Sequence, residues 1–183
     1  MKSSEEYPLI GEVHVDEFFF GGSEKEQYGR SSSARKKRAC IAVEVLPGKK
    51  IGRIYSLKIE NFSTQELKKI FEKHLRGAKT IVTDEWIGYK PLMKMYPGLI
   101  QKKSETGRAF SELHTIVMLL KKFMKGIHHN VSNHRFQCYL DEFVYRFNRR
   151  NNMKTINTNL LTRVIKTKPL IQEDPPKLLK NVA

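Results

Sequence analysis

The sequence lacks the features of several protein classes. Among its 183 residues only two are cysteines, which excludes a disulfide-rich fold and a cysteine-based zinc site. Cys40 and Cys138 both lie in apolar periodic segments, so we expect two small buried side chains and a reducing, cytoplasmic compartment. No run approaches the ~20 apolar residues that a membrane span requires, and no apolar run near Met1 indicates a signal peptide.

Acidic residues are scarce relative to basic ones. The chain has 34 lysines and arginines but only 19 aspartates and glutamates, which gives a formal net charge of +15. This excess favours a polyanionic partner, most commonly nucleic acid, over a basic surface that is merely solvated. Hydrophobic content of 39% and charged content of 29% exclude a disordered chain and predict one ordinary domain with a real core.

Hydrophobic periodicity predicts a mixed α/β architecture. Strands are predicted at about residues 12–20, 39–45, 52–58 and 79–83, with a short fifth strand after residue 98. Helices are predicted from the capping box at 63–66 to Gly77, at 110–125 with Gly126 as the stop, and at 133–148. A polar, basic loop joins the first two strands at residues 23–38.

The order of these elements predicts the fold class. Three strands form an antiparallel meander, and a crossover helix then leads to parallel strands, which is the ribonuclease H-like order. We expect an N-terminal extension at 1–10, a catalytic domain at 11–150 and a C-terminal tail at 151–183.

Two aspartates lie in or directly after predicted strands, where carboxylates are uncommon. Asp16 lies within the first strand, with no turn signal near it. Asp84 ends the predicted parallel strand, where it could instead cap a turn at Trp86. If the two strands are neighbours, both carboxylates meet at one edge of the sheet and offer the hard oxygen ligands that Mg²⁺ or Mn²⁺ requires.

The helix at 110–125 carries a third candidate. His114 and Lys121 lie within ~20° of each other on its surface, whereas Glu112 is about 180° from Lys121. If the site includes this helix, geometry favours His114 over Glu112. Taken alone, His114 also fits a structural residue at the boundary of the apolar stripe.

Basic residues cluster in the polar loop and on the helix that carries His114. We expect both clusters to contact DNA phosphates, with an affinity that falls as salt rises. The candidate DNA-binding residues are Arg30, Arg35, Lys36, Lys37, Arg38, Lys121, Lys122 and Lys125. The arginines at 146–150 have a structural explanation instead, since cations suit a helix C-terminus and Glu142 can pair with Arg146.

Four segments carry a resemblance to a known family. They are residues 13–22 (VHVDEFFFGG), 83–89 (TDEWIGY), 113–129 (LHTIVMLLKKFMKGIHH) and 139–150 (YLDEFVYRFNRR). In this order they resemble the ISXO-type insertion-sequence transposases, a bacterial branch of the DDE superfamily, over about residues 10–165. The resemblance implies a ribonuclease H-like domain that cuts and joins DNA at transposon ends with two divalent ions.

The resemblance also implies roles for individual residues. Asp16 and Asp84 match the first and second catalytic aspartates, His114 falls on the third position, and these three would hold the ions. Lys121 matches the lysine seven residues later and would contact the DNA phosphate. His114 departs from the usual carboxylate, and because an imidazole is a softer ligand, the site would favour Mn²⁺ over Mg²⁺.

The family implies the partners as well. We expect transposon-end and target DNA, no membrane, and a homo-oligomer on DNA, because two ends need two active sites. Relatives carry a recognition segment before the catalytic domain, and the early first strand predicts that this chain lacks it.

Three other functions stay open. The chain could be an inactive remnant that binds DNA without cutting it, or another ribonuclease H-like nuclease that cuts branched DNA. A basic RNA-binding protein is the third, although no stacked aromatic platform supports it.

Overall fold

The computed structural model describes residues 7–21, 36–128 and 131–167. The chain divides into two compact units, Met1–Asn151 and Asn152–Ala183. The first unit contains a five-stranded sheet, and the described part of the second contains one α-helix, α4, at Ile156–Lys166. No helix in these described ranges has the length and hydropathy needed to cross a bilayer.

The sheet is mixed, as the sequence predicts. Its strands are β1 Ile10–Phe20, β2 Lys37–Leu46, β3 Lys50–Ile59, β4 Gly77–Thr83 and β5 Leu99–Gln101, in the order β3-β2-β1-β4-β5. The first three pair antiparallel, β4 pairs parallel with β1, and β5 pairs parallel with β4. The helices of this unit are α1 Thr64–His74, α2 Ser111–Ile127 and α3 Phe136–Asn148. The predicted meander and the parallel crossover are therefore confirmed.

Three details of the prediction are wrong. Gly126 does not end α2, which continues to Ile127 because the His128 amide still bonds to the Met124 carbonyl oxygen at 3.1 Å. A glycine in a last turn costs only about 1 kcal/mol, which such a bond offsets. Lys37 and Arg38 belong to β2 rather than to the preceding loop, because they pair with Phe20 and Phe19.

Cys138 is the third correction, because its side chain is exposed whereas that of Cys40 is buried, as predicted. On α3 the buried stripe is formed by Phe136, Leu140, Phe143 and Val144. Position 138 is two residues from both Phe136 and Leu140, which is about 200° around the helix and therefore on its outer face.

Side chains of β1 alternate between the two faces of the sheet. On one face His14 contacts Phe110, Phe18 lies under Lys121, and Phe20 stacks on Phe136, so this face packs against α2 and α3. On the other face Phe19 meets Phe62, the residue that leads into α1. The sheet is therefore covered on both sides, and α2 passes directly over the centre of β1.

The outer edge of the sheet is closed by side-chain amides of α3. Asn148 accepts a hydrogen bond from the Ile54 amide and donates one to the Ile54 carbonyl oxygen, both at 2.9 Å. Gln137 likewise accepts from the Lys58 amide at 2.7 Å and donates to the Ser56 carbonyl oxygen at 3.2 Å. The backbone of β3 is thus paired by α3 at two points, which protects an edge strand from pairing with another chain.

Candidate active site

Asp16 and Asp84 lie side by side where the parallel pairing of β1 with β4 ends. Val15 of β1 pairs with Thr83 of β4, and each aspartate is the next residue in its chain. β4 ends at Thr83, whereas β1 continues to Phe20 along β2 alone. Beyond Thr83, β4 no longer pairs with β1, and open α/β sheets bind their ligands near the carboxyl ends of parallel strands.

Asp16 is largely shielded from solvent, with 25% of its side chain exposed. Its Oδ1 accepts a hydrogen bond from the Glu17 amide at 2.8 Å. Burial raises the pKa of the Asp16 carboxyl, and hydrogen bonds with the amide and the side chain of Glu17 act in the opposite direction; the charge of Asp84 raises this pKa and His114 lowers it. Charge at this position is therefore unfavourable in the protein alone.

Asp84 is held by a local turn. Its Oδ1 accepts from the Trp86 amide at 3.0 Å, which is the capping contact that the sequence left open as an alternative. Gln101 then fixes the turn, because its Nε2 donates to the backbone oxygens of Asp84 at 3.0 Å and of Trp86 at 2.9 Å. The turn and a metal-binding role are compatible, since the turn orients the carboxylate at the strand end.

His114 and Lys121 reach the same region from α2. The Nε2 atom of His114 lies 3.8 Å from Oδ2 of Asp16, and 44% of the His114 side chain is exposed. The Nζ atom of Lys121 lies 5.7 Å from the centre of the Phe18 ring, two residues beyond Asp16 on the same face. Burial lowers the pKa of Lys121, as does the charge of Lys125, while Asp16 raises it.

Glu17 is the residue that the sequence analysis did not single out. Asp16, Glu17 and Asp84 can each offer one carboxylate oxygen such that all three atoms lie within 4.8 Å of one another. Because neighbouring residues of a strand point to opposite faces, strand alternation does not group Glu17 with Asp16. The one available signal was an acid directly beside Asp16, followed by three phenylalanines, inside a predicted strand.

The candidate DNA-binding residues divide into three sets. Arg30 and Arg35 lie outside the described residues. Lys36, Lys37 and Arg38 lie where β2 begins, beside the end of β1, and Arg38 donates to the Glu60 carbonyl oxygen at 3.3 Å. Lys122 and Lys125 are exposed on α2, near Lys121. The described cations thus lie at the same end of the sheet as Asp16 and on the helix above it.

The donor set fits a hard divalent cation. Three carboxylates that converge within 4.8 Å supply the oxygen ligands that Mg²⁺ and Mn²⁺ prefer, and they carry a negative charge that a cation would compensate. The imidazole of His114 adds a nitrogen donor next to Asp16, which suits Mn²⁺ better than Mg²⁺.

Comparison with solved structures identifies the fold. The catalytic core domain of BIV integrase matches with a TM-score of 0.54 and 10% identity, covering 84% of this chain and 97% of that one. The HTLV-2 integrase catalytic core domain in complex with magnesium matches with a TM-score of 0.43 and 12% identity, covering 76% and 87%. The fold is ribonuclease H-like, as the order of elements predicted.

The sequence itself matches a family model. No curated protein resembles the chain at a significant level. The model of the ISXO2-like transposase domain, a DDE domain, matches residues 8–148, which include every element of the sheet and the helices α1 to α3. Its range contains Asp16, Asp84 and His114. The chain therefore belongs to the ISXO2-like transposase domain family.

Proposed function

We propose that this domain is a DNA transposase that hydrolyses phosphodiester bonds at insertion-sequence ends and joins them to target DNA. The observation that carries the proposal is the convergence of acidic oxygens from β1 and from the end of β4 within 4.8 Å. Membership of a DDE transposase family supports the same chemistry. The bacterial cytoplasm, where insertion-sequence DNA lies, is the expected site of action.

Asp16 and Asp84 would hold two ions, Mg²⁺ or Mn²⁺, with His114 as the third group from α2. When bound, such ions supply an activated oxygen nucleophile and neutralise charge on the leaving oxygen. The residues themselves supply position: the Glu17 amide orients Asp16, and the Trp86 amide orients Asp84. No covalent bond between protein and DNA is expected, since no residue of the proposed set acts as a nucleophile.

Lys121 would bind the phosphate next to the scissile bond, because its ammonium group lies on the same face as Asp16. Lys122, Lys125 and the cations at the start of β2 would bind the flanking DNA backbone. A net charge of +15 makes this binding strongly dependent on salt. We expect Lys121→Gln to reduce the slope of log affinity against log salt by about 1.

The test is a nicking and strand-transfer assay on a plasmid that carries the DNA flanking the coding region. Wild-type protein should nick and join the DNA with Mn²⁺, and Asp16→Asn or Asp84→Asn should reduce the rate by at least about 100-fold, as loss of charge-stabilising groups does elsewhere. Glu85→Gln is the matched control, because Glu85 is an exposed acid directly beside Asp84.

Each alternative predicts a different result. An inactive remnant would shift DNA in a gel yet cut nothing at any Mn²⁺ concentration. A nuclease of the junction-resolving kind would cut branched DNA and ignore the flanking ends. If both aspartate variants cut as fast as wild type, the proposed site is wrong. We also expect two copies of the chain on one pair of ends, which sedimentation of the DNA complex would measure.

A further inference from the structure

The position of Glu17 raises a question about the composition of the metal centre. Glu17 and Asp16 are consecutive in β1 and therefore start on opposite faces of the sheet. Asp16 faces α2, since His114 lies 3.8 Å from it. Glu17 pairs with Cys40, which is fully buried within the sheet. Its carboxylate nevertheless comes within 4.8 Å of both aspartate oxygens.

The end of β4 makes this convergence possible. Because β4 stops at Thr83, no strand within the described ranges continues beside β1 at the level of Glu17 on that side. The longer side chain of Glu17 can then reach the strand end from the α1 face, while Asp16 approaches it from the α2 face. Asp84 follows the last residue of β4.

The surroundings of Glu17 are unusually closed. Both of its carboxylate oxygens are shielded from solvent. On the same side of the sheet Tyr89 has no exposed surface, and its hydroxyl has no oxygen or nitrogen partner among the described residues. It lies instead beside the thiol of Cys40, with which it shares a hydrogen bond. Carboxylate oxygens that are closed off from water in this way are stabilised when a cation compensates their charge.

We propose that Glu17 supplies the third carboxylate ligand of the divalent metal centre, together with Asp16 and Asp84. The inference rests on the proposed function, since it concerns the same site. With Glu17 as a ligand, the centre has three carboxylates even though α2 contributes His114 and not an acid. β1 thus provides two ligands, one from each face of the sheet.

Mn²⁺ binding tests this role without requiring DNA cleavage. Electron paramagnetic resonance of free Mn²⁺ measures its affinity for wild-type protein, for Glu17→Gln and for Glu85→Gln. Both substitutions exchange a glutamate for its isosteric amide directly after an aspartate, but Glu85 is exposed and lies outside the convergent cluster. We expect Glu17→Gln to weaken Mn²⁺ binding by at least about tenfold, and Glu85→Gln to leave it within about twofold.

A second variant guards against a folding defect. Glu17→Asp keeps the charge but shortens the side chain by one methylene, so it should fold and still lose Mn²⁺ affinity. The melting temperature without metal, measured for each variant, identifies any that fails to fold. For a folded variant, the loss of the Mn²⁺-dependent rise in melting temperature should follow the loss of affinity.

The outcomes separate this inference from the proposed function. If wild-type protein binds Mn²⁺ and both Glu17 variants bind it equally well, Glu17 is not a ligand, while the proposed function stands. If wild-type protein neither binds Mn²⁺ nor cuts DNA, the proposed function fails and this inference fails with it. Weak binding by the Glu17 variants alone, with normal binding by Glu85→Gln, supports the assignment.

Discussion

At the outer edge of the sheet, polar groups are matched donor to acceptor, whereas the polar groups where β4 ends beside β1 are acceptors of one charge. Asn148 pairs with both backbone groups of Ile54 at 2.9 Å. At the strand ends, Asp16, Glu17 and Asp84 place carboxylate oxygens within 4.8 Å of one another. The first arrangement is complete within the protein, whereas the second leaves carboxylates next to one another.

The comparison shows that polar groups stabilise the folded protein in one region and destabilise it in the other. Paired amides close an edge strand and prevent it from adding further strands. Clustered carboxylates repel one another, which destabilises the folded protein unless a cation compensates their charge. Sites that break the rule of complete pairing are expected where a protein binds something. We therefore expect removal of a polar group to lower the free energy of unfolding at the edge and to raise it at the carboxylate cluster.

The largest effect should come from the edge. Asn148→Leu removes two hydrogen bonds and leaves the amide and carbonyl of Ile54 without a side-chain partner. Since each unsatisfied buried group costs roughly 1–3 kcal/mol, we expect the free energy of unfolding to fall by about 3 kcal/mol. Urea denaturation measures it. Asn159→Leu, at an exposed position of α4, is the control and should change stability by less than about 0.5 kcal/mol.

The same variant tests whether the edge is separate from the proposed metal centre. Mn²⁺ affinity of folded Asn148→Leu should equal that of wild type. A loss of Mn²⁺ binding in protein that remains folded would contradict the separation of the two regions.

The second effect is a pH dependence of stability, and it comes from His74, a buried residue at the end of α1. Its ring stacks on Tyr55 with 3.8 Å between ring centres. Burial lowers the pKa of His74 from 6.5 to about 4, and the charge of Lys73 adds to the shift. Below pH 6.5 the unfolded chain takes up a proton that the folded protein does not, so acid lowers stability. This loss of stability levels off near pH 4, where the folded protein takes up the proton as well.

Between pH 7 and pH 5 this contribution amounts to roughly 2 kcal/mol, since each pH unit below 6.5 is worth about 1.4 kcal/mol. His74→Phe keeps the aromatic stack on Tyr55 and removes the titrating group. Urea denaturation at the two pH values should show a smaller difference for His74→Phe than for wild type. An equal pH dependence in both proteins would assign it to other groups.

The sequence predicted most of the fold because local signals and the topology agreed. Asp16 and Asp84 could be grouped because parallel strands bring their carboxyl ends to one edge. The lengths of the elements were less certain, and β2 begins earlier than the polar loop suggested because Lys37 and Arg38 pair with β1.

Glu17 could not be predicted as part of the cluster. Strand alternation places it on the face opposite Asp16, and the argument from alternation is correct for the backbone. What overrides it is the early end of β4 together with the reach of a glutamate side chain, both of which are tertiary features. The amides of Gln137 and Asn148 were missed for a similar reason, since nothing local indicates that a helix residue pairs with a strand edge.

The third effect should have the opposite sign. Asp84→Asn keeps the acceptor for the Trp86 amide but removes one charge from the cluster. Because two charges at this spacing repel by a few kcal/mol at an effective dielectric of ~20, less after screening and relaxation, we expect stability without metal to rise by about 1 kcal/mol. Thermal unfolding in a chelator measures it. A fall in stability under those conditions would mean that the cluster is structural.

The smallest effect should come from a polar pair that lies in neither region. Arg146 contacts Oε1 of Glu142 through Nε at 3.0 Å and Nη2 at 2.8 Å, which confirms the predicted pair on α3. The side chains are 57% and 23% exposed, so water solvates both when the contact breaks. We expect Arg146→Ala to lower the free energy of unfolding by less than about 0.5 kcal/mol in urea denaturation. If Arg146→Ala lowered the free energy of unfolding nearly as much as Asn148→Leu, pairing of exposed groups would stabilise α3 as much as pairing of buried ones. The contrast between the edge and the carboxylate cluster would then lose its physical basis.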